Sequence, residues 1–174
     1  MRLNSRIAKR ILNSKMSLVT REKQVNNLDT AKTAGVLWMT DQKETFGKIQ
    51  DRLNKAGIKT NGLCYFPVRS AKIPEGINGF TRRQTNFWTE VPSAQLVDNF
   101  IHQKFDLLID LTVNKHFPLV YVAALSEANF KIGYSGSTQN YFDLNIVFQT
   151  QPDAEQLAEQ ILYYLTRINK TTIE

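Results

Sequence analysis

The run Phe105-Asp-Leu-Leu-Ile-Asp-Leu111 has a continuous apolar centre and no alternating polar face. A strand of that kind cannot turn one side to water, so it belongs in the middle of a parallel sheet covered on both faces. The neighbouring segments agree. Ala34 to Thr40 holds Val36, Leu37, Trp38 and Met39, and Leu63 to Phe66 is a second short apolar run ended by Pro67. Phe130 to Tyr134 and Phe142 to Phe148 read as further strands.

Helical periodicity lies between them. An Asp41-x-x-Glu44 capping box opens a helix through Ala56, with Phe46, Ile49 and Leu53 inward and Gly57 as its stop. Pro92 and Ser93 start a second, with Leu96, Val97, Phe100 and Ile101 on one face. Pro118 starts a third that runs to Ala128, and Pro152-Asp153 a last one carrying Leu157, Ile161, Leu165 and Ile168. Alternating strands and helices predict an α/β fold: a three-layer Rossmann-like or flavodoxin-like sandwich with a mostly parallel sheet of about five or six strands. Residues 67–92 are the least regular part, with turns marked by Pro74, Gly76, Asn78 and Gly79.

The charge is unevenly placed. Seven Lys and Arg face one Glu within residues 1–25, which accounts for the whole net charge of +6; from Asn26 onward 15 basic residues balance 15 acidic ones. Residues 1–25 read as a basic amphipathic helix or arm, 26–33 as a polar linker, and 34–174 as a single α/β domain. In the arm, Leu3, Ile7, Ile11 and Leu18 form one apolar stripe, with Arg2, Arg6, Lys9 and Arg10 beside it, and Leu12, Met16 and Val19 form a second, offset stripe. Such a helix can lie on its own domain, on an anionic surface or on RNA phosphates.

Cys64 is the single cysteine, which rules out an internal disulfide and fits a reducing compartment. The sequence shows neither a membrane-spanning apolar stretch nor a secretory leader, so a cytoplasmic location is the expectation. There is no G-x-G-x-x-G and no G-x-x-x-x-G-K-[ST], so the usual dinucleotide and P-loop fingerprints are missing and no cofactor is expected. One cysteine and two distant histidines cannot supply a standard zinc site.

The remaining candidates are sparse. Asp41 and Asp110 fall near the carboxyl ends of strands, where a pair of carboxylates can hold Mg²⁺; the plainer reading is a helix cap and a strand-end hydrogen-bonder. His116, behind Asn114 and Lys115, is the better placed of the two histidines for acid–base work, while His102 reads as exposed. Were the chain an enzyme, Asp41, Asn114, His116 and Asp110 would be its catalytic group. Arg82, Arg83, Phe87 and Trp88 mix guanidinium groups with aromatic rings, a combination suited to stacking bases or anchoring a protein partner. The plainer expectation is that Phe87 and Trp88 pin a long loop to the core. The Ser135–Asn140 loop reads as a strand connector that could cradle a phosphate.

Two resemblances add to this. Phe105–Leu111, Phe117–Ser126, Phe130–Tyr134, Tyr141-Phe-Asp143 and Ile161–Leu165 with Ile168-Asn169 together resemble an uncharacterised Bacteroidota family catalogued as a domain of unknown function. That likeness covers nearly the whole chain and implies no activity. Residues 105–134 also resemble one strand–helix–strand unit of the N-terminal half of heptosyltransferase-type glycosyltransferases, whose glycine-rich first turn is absent here. The function expected is that of a non-enzymatic interaction or accessory module. The basic N-terminal helix, with Arg2, Arg6, Lys9 and Arg10, would contact a protein partner or anionic surface, and Arg82, Arg83 and Trp88 are further candidate binding residues. The alternatives are a small transferase or hydrolase for a phosphorylated or sugar-like ligand, and an RNA- or ribosome-associated protein.

Overall fold

The computed structural model describes residues 2–135 and 141–168, with the side chains of Arg2 and Leu3 outside the description. Six parallel strands form one sheet: β1 (Thr33–Met39), β2 (Lys59–Phe66), β3 (Gly79–Thr81), β4 (Leu107–Asp110), β5 (Phe130–Tyr134) and β6 (Leu144–Ile146). They stand in the order β3-β2-β1-β4-β5-β6. Five helices accompany them: α1 (Arg2–Met16), α2 (Lys43–Lys55), α3 (Ala94–Ile101), α4 (Phe117–Leu125) and α5 (Ala154–Arg167). This is an α/β sandwich of Rossmann-like type. Among the described residues no helix is long and apolar enough to cross a membrane.

β4 is buried at all four positions, with register Ala34↔Leu107 to Leu37↔Asp110 on β1 and Leu107↔Phe130 to Asp110↔Gly133 on β5. Alternate residues feed two separate apolar layers. Val36, Trp38, Leu107 and Ile109 face α2 and α5, which contribute Ile49, Leu53, Leu157 and Ile161. Leu37, Met39 and Leu108 face the other way, towards Val97, Phe100, Leu119 and Val122 of α3 and α4. Period-two alternation turns one continuous apolar strand into the shared wall of two cores.

The expected box at Asp41 is not what starts α2. Asp41 is exposed within a single 3-10 turn, Thr40–Gln42, and the buried Gln42 side chain takes the structural role. Its Oε1 accepts from the Met39 N–H at 2.9 Å, and its Nε2 donates to the Leu111 carbonyl at 3.0 Å. One amide thus ties the carboxyl ends of β1 and β4 together, a job a carboxylate acceptor cannot perform at both ends.

The basic N-terminal helix lies against α4. Its inward residues are Ala8 and Leu12, 3% and 1% exposed, with Ile11, Met16 and Val19 packed at the margin. Ile7 and Leu18 of the first apolar stripe are 43% and 79% exposed. Leu12 belongs to the same buried cluster as Leu37, Phe105 and Leu119. Residues beyond α1 are also tied down. The Arg21 guanidinium donates to both Asp143 carboxylate oxygens, at 2.9 and 2.6 Å, and to the Ala128 and Asn129 carbonyls, each at 3.1 Å. Burial by itself would raise the Asp143 carboxyl, yet the Arg21 hydrogen bonds and the Lys131 N–H hold it below the usual carboxylate range. The segment 26–33 is likewise held: Asn26 and Asn27 are buried, and one Asp106 oxygen accepts from the backbone N–H groups of Lys32 and Thr33 at 2.7 and 2.9 Å.

No helix lies between β2 and β3, nor, among the described residues, between β5 and β6. At the second of these gaps the Phe142 ring rests on β5: a Cβ placed on Gly133 would come within 2.6 Å of it. That close approach requires glycine.

The Arg21–Asp143 pair is only 12% and 18% exposed on its two side chains, so either truncation strands a partly buried charge. Arg21→Ala and Asp143→Ala are each expected to cost about 2–3 kcal/mol in urea unfolding, and the double variant clearly less than their sum. Additive losses would show that the pair does not act as a clamp.

Candidate functional site

Parallel strands bring all their carboxyl ends to one edge, and in open sheets ligands occupy the crevice there. Three features share this edge.

The first cleft, about 470 Å³, opens where β1 and β4 part. Met39, Asp41, Gln42, Asn114, His116 and Asp153 are among its lining residues. It holds three of the four residues singled out for catalysis. His116 stands at the N-cap of α4 with its ring 5.8 Å from that of Tyr65. Asn114 accepts from the Gln151 amide at 2.8 Å. Among the described residues no hydrogen bond joins His116 to a carboxylate or a hydroxyl, the relay that general-base catalysis by histidine uses.

The fourth, Asp110, faces an adjacent cleft and is 1% exposed. Its Oδ1 accepts from the Thr112 N–H at 2.9 Å and the Thr112 hydroxyl at 2.6 Å, while its Oδ2 accepts from Lys115 Nζ at 3.0 Å. Lys115 also donates to the Thr112 carbonyl at 3.0 Å and sits 5.1 Å above the Phe142 ring. A carboxylate so engaged is a structural anchor for the loop after β4. Among the described residues no cluster of three or more His, Cys, Asp or Glu side chains could hold a metal ion.

The third feature is a hairpin between β3 and α3. Phe87 and Trp88 are 67% and 66% exposed, which overturns the expectation that they pin the loop to the core. They form a T-shaped pair with centroids 5.1 Å apart, and Arg69 lies 5.5 Å over the Phe87 face. The hairpin beneath them is firmly braced. Thr85 and Pro92 form an antiparallel bridge, and the Asn86 N–H donates to the Val91 carbonyl at 2.8 Å. The Asn86 side-chain oxygen accepts from the Trp88 and Thr89 N–H groups, both at 3.0 Å. Glu90 takes a left-handed φ of 56° and pairs with Arg82 at 3.2 Å. Ile11 of α1 lines one open groove of about 550 Å³ with Arg83, Asn86, Thr89 and Ser93 of the hairpin, so the basic helix and the hairpin adjoin. Arg6, Lys9, Arg10, Arg82 and Arg83 are all exposed. The Arg2 side chain and residues 136–140 of the expected phosphate-cradling loop lie outside the described residues.

Two titratable groups are buried beside these surfaces. Cys64 sits in β2 beneath the sheet edge, where burial, reinforced by the negative charge of Asp41, pushes its thiol up to about 12. A thiol of that kind is not a nucleophile at neutral pH, so Cys64 is expected to resist a thiol-specific reagent in the folded protein and react at once in urea. Rapid labelling of the native chain would contradict its burial.

Lys131 is more unusual. It is 2% exposed, and its ammonium donates to the Ala123 and Ala124 carbonyls at 2.9 and 3.1 Å, closing the carboxyl end of α4. Burial, then the nearby Arg21 charge, pushes it down from 10.5 to about 7, with Asp143 partly opposing. Between those two values the unfolded chain holds a proton that the folded chain does not, so stability rises with pH across that window. The slope from this group approaches about 1.4 kcal/mol per pH unit. Denaturant titrations from pH 7 to 10 should show that rise, and Lys131→Met should lose it; parallel profiles would refute the assignment.

Sequence reasoning did not single out Arg21, Lys115 or Lys131 as structural anchors. The one available signal was Lys131 itself, a charged residue inside the apolar strand Phe130-Lys-Ile-Gly-Tyr134.

The chain belongs to a family of unknown function, DUF6913, whose match covers residues 5–168. No curated protein and no solved structure matches it.

Proposed function

We propose that this member of DUF6913 is an interaction module and that the braced hairpin, together with the exposed cationic side of α1, forms its contact surface for an acidic protein partner. The observation that carries this reading is the exposure of Phe87 and Trp88 on a rigid tip. Large aromatic rings left in water are uncommon away from binding surfaces, and they make strong anchors when pre-organised. The bracing at Asn86, Thr85–Pro92 and Glu90 removes much of the ordering cost of association. The surrounding guanidinium groups of Arg69, Arg82 and Arg83 supply complementarity to carboxylates.

A protein partner suits the geometry better than single-stranded RNA. Base stacking needs open ring faces, and here Arg69 covers one face of Phe87 while Trp88 meets it edge-on at 90°. The same surface argues for binding over catalysis, since the hydrogen bonds at the sheet edge hold Asp110 and Asn114 in structural contacts.

Point variants test this better than removal of residues 1–25, because Leu12 and Arg21 also hold the fold together. Trp88→Ala is expected to change stability by less than about 0.5 kcal/mol, as for other exposed sites. It should weaken a purified partner, first captured from nuclease-treated native-host extract, by about 2 kcal/mol or more. Arg6→Glu with Arg10→Glu should slow association and flatten its salt dependence. Capture that vanishes on nuclease treatment would favour the RNA reading. A partner that binds Trp88→Ala as tightly as the native chain would refute this surface.

A further inference from the structure

The cleft over the carboxyl ends of β4 and β5 has a chemistry that neither the hairpin nor the family assignment accounts for. It measures about 490 Å³, within the range of small-molecule sites. α4 forms one wall with Phe117 and Val120, α1 closes it from above with Lys9 and Leu12, and Phe142 and Tyr141 complete the far side. The lining therefore combines hydrocarbon and aromatic surface with ammonium, phenol and amide groups.

The balance of charge inside is specific. Among the described residues, Lys9, Lys115 and Asp110 are its charged lining. Lys115 and Asp110 neutralise one another at 3.0 Å, and both Asp110 oxygens are already occupied by donors from Thr112 and Lys115. The floor thus offers no open carboxylate to a ligand. What remains is the surplus positive charge of Lys9, in a cleft that Lys115 and Gln151 also line. Lys9 rides on a helix whose next turn, at Leu12, is 1% exposed, so its backbone is fixed over the opening. A ligand that satisfies both kinds of lining must join an apolar body to an oxyanion.

We infer that this cleft binds a small organic oxyanion, a carboxylate or phosphate monoester on an aromatic or short aliphatic body, with Lys9 as the anchoring cation and the Phe117–Val120 face receiving the body. Charge pairing directs the head group, and burial of the body's apolar surface adds affinity. The bound molecule bridges α1 to α4 and β5, so it reinforces the docking of the N-terminal helix. The site is separate from the hairpin: Trp88 does not line it.

The experiment is a titration of the ¹⁵N-labelled full-length chain, followed by amide shifts, with octanoate, phenyl phosphate, inorganic phosphate and benzyl alcohol. Octanoate or phenyl phosphate should saturate and shift amides near Lys9, Val120 and Ser135, whereas the head group alone and the neutral body alone should bind at least about tenfold more weakly. Lys9→Gln, an exposed change, should weaken the better ligand about tenfold, Val120→Trp should abolish binding by filling the cleft, and Trp88→Ala should leave it unchanged. Saturation by octanoate alone marks a carboxylate site and by phenyl phosphate alone a phosphate site, and either supports the inference. It is overturned if neither binds in the millimolar range, if inorganic phosphate or benzyl alcohol binds as tightly, or if a natively folded Lys9→Gln chain keeps full affinity.

Discussion

Leu107, Leu108 and Ile109 leave β4 without a side that tolerates water, and the rest of the architecture answers that requirement. A strand buried on both faces needs helices above and below it, and helices inserted between strands make those strands parallel. Parallel strands in turn deliver every carboxyl end to one edge. The two clefts and the hairpin stand along that edge because the central strand forced the layers into this arrangement.

The same requirement explains why the basic N-terminal helix is part of the folded body. Between β5 and β6 the described chain supplies no crossover helix, so that flank of the sheet lacks its usual cover. α1 stands beside α4, seating Ala8 and Leu12 and sharing a cleft with Tyr134 at the end of β5, while Arg21 reaches back to Asp143 just ahead of β6. Charge and packing are thereby separated on one short helix. Ala8 and Leu12 turn inward, and Arg6, Lys9 and Arg10 are left exposed. Their positive charge is held at fixed positions relative to Lys115, Arg83 and Trp88, which gives it directional value that a free arm would lack.

Much of the fold was legible in the sequence, because the strands at its centre are defined by burial. Phe130–Tyr134 was placed at its true bounds, and β1, α4 and α5 were found within a few residues. β3 was missed: it has only three residues, and its one buried side chain that fills core space, Phe80, lies among turn residues. The cap at Asp41 failed for a different reason. Gln42 is selected by the Leu111 carbonyl, a partner 69 positions away that no local pattern reveals. The inward side of α1 was ambiguous because periodicity shows that a helix has an apolar side without showing which neighbour will meet it. Phe87 and Trp88 were misjudged by composition, which favours burying aromatics; only the bracing beneath them keeps them in water. The site residues were legible one at a time, and the structure sorted them, placing Asp41, Asn114 and His116 around one cleft and Asp110 beneath the next.

The account turns on α1 being as firmly folded as the sheet it covers. Native-state amide hydrogen exchange measures that directly, since helices that open on their own exchange at low free energy and integral ones exchange only with global unfolding. The amides of Lys9 to Lys15 are predicted to show protection approaching that of Leu119 to Ala123 in α4, and to lose it together with them as denaturant is added. Exchange of α1 at the rate of an isolated helix, with α4 still fully protected, would contradict the account.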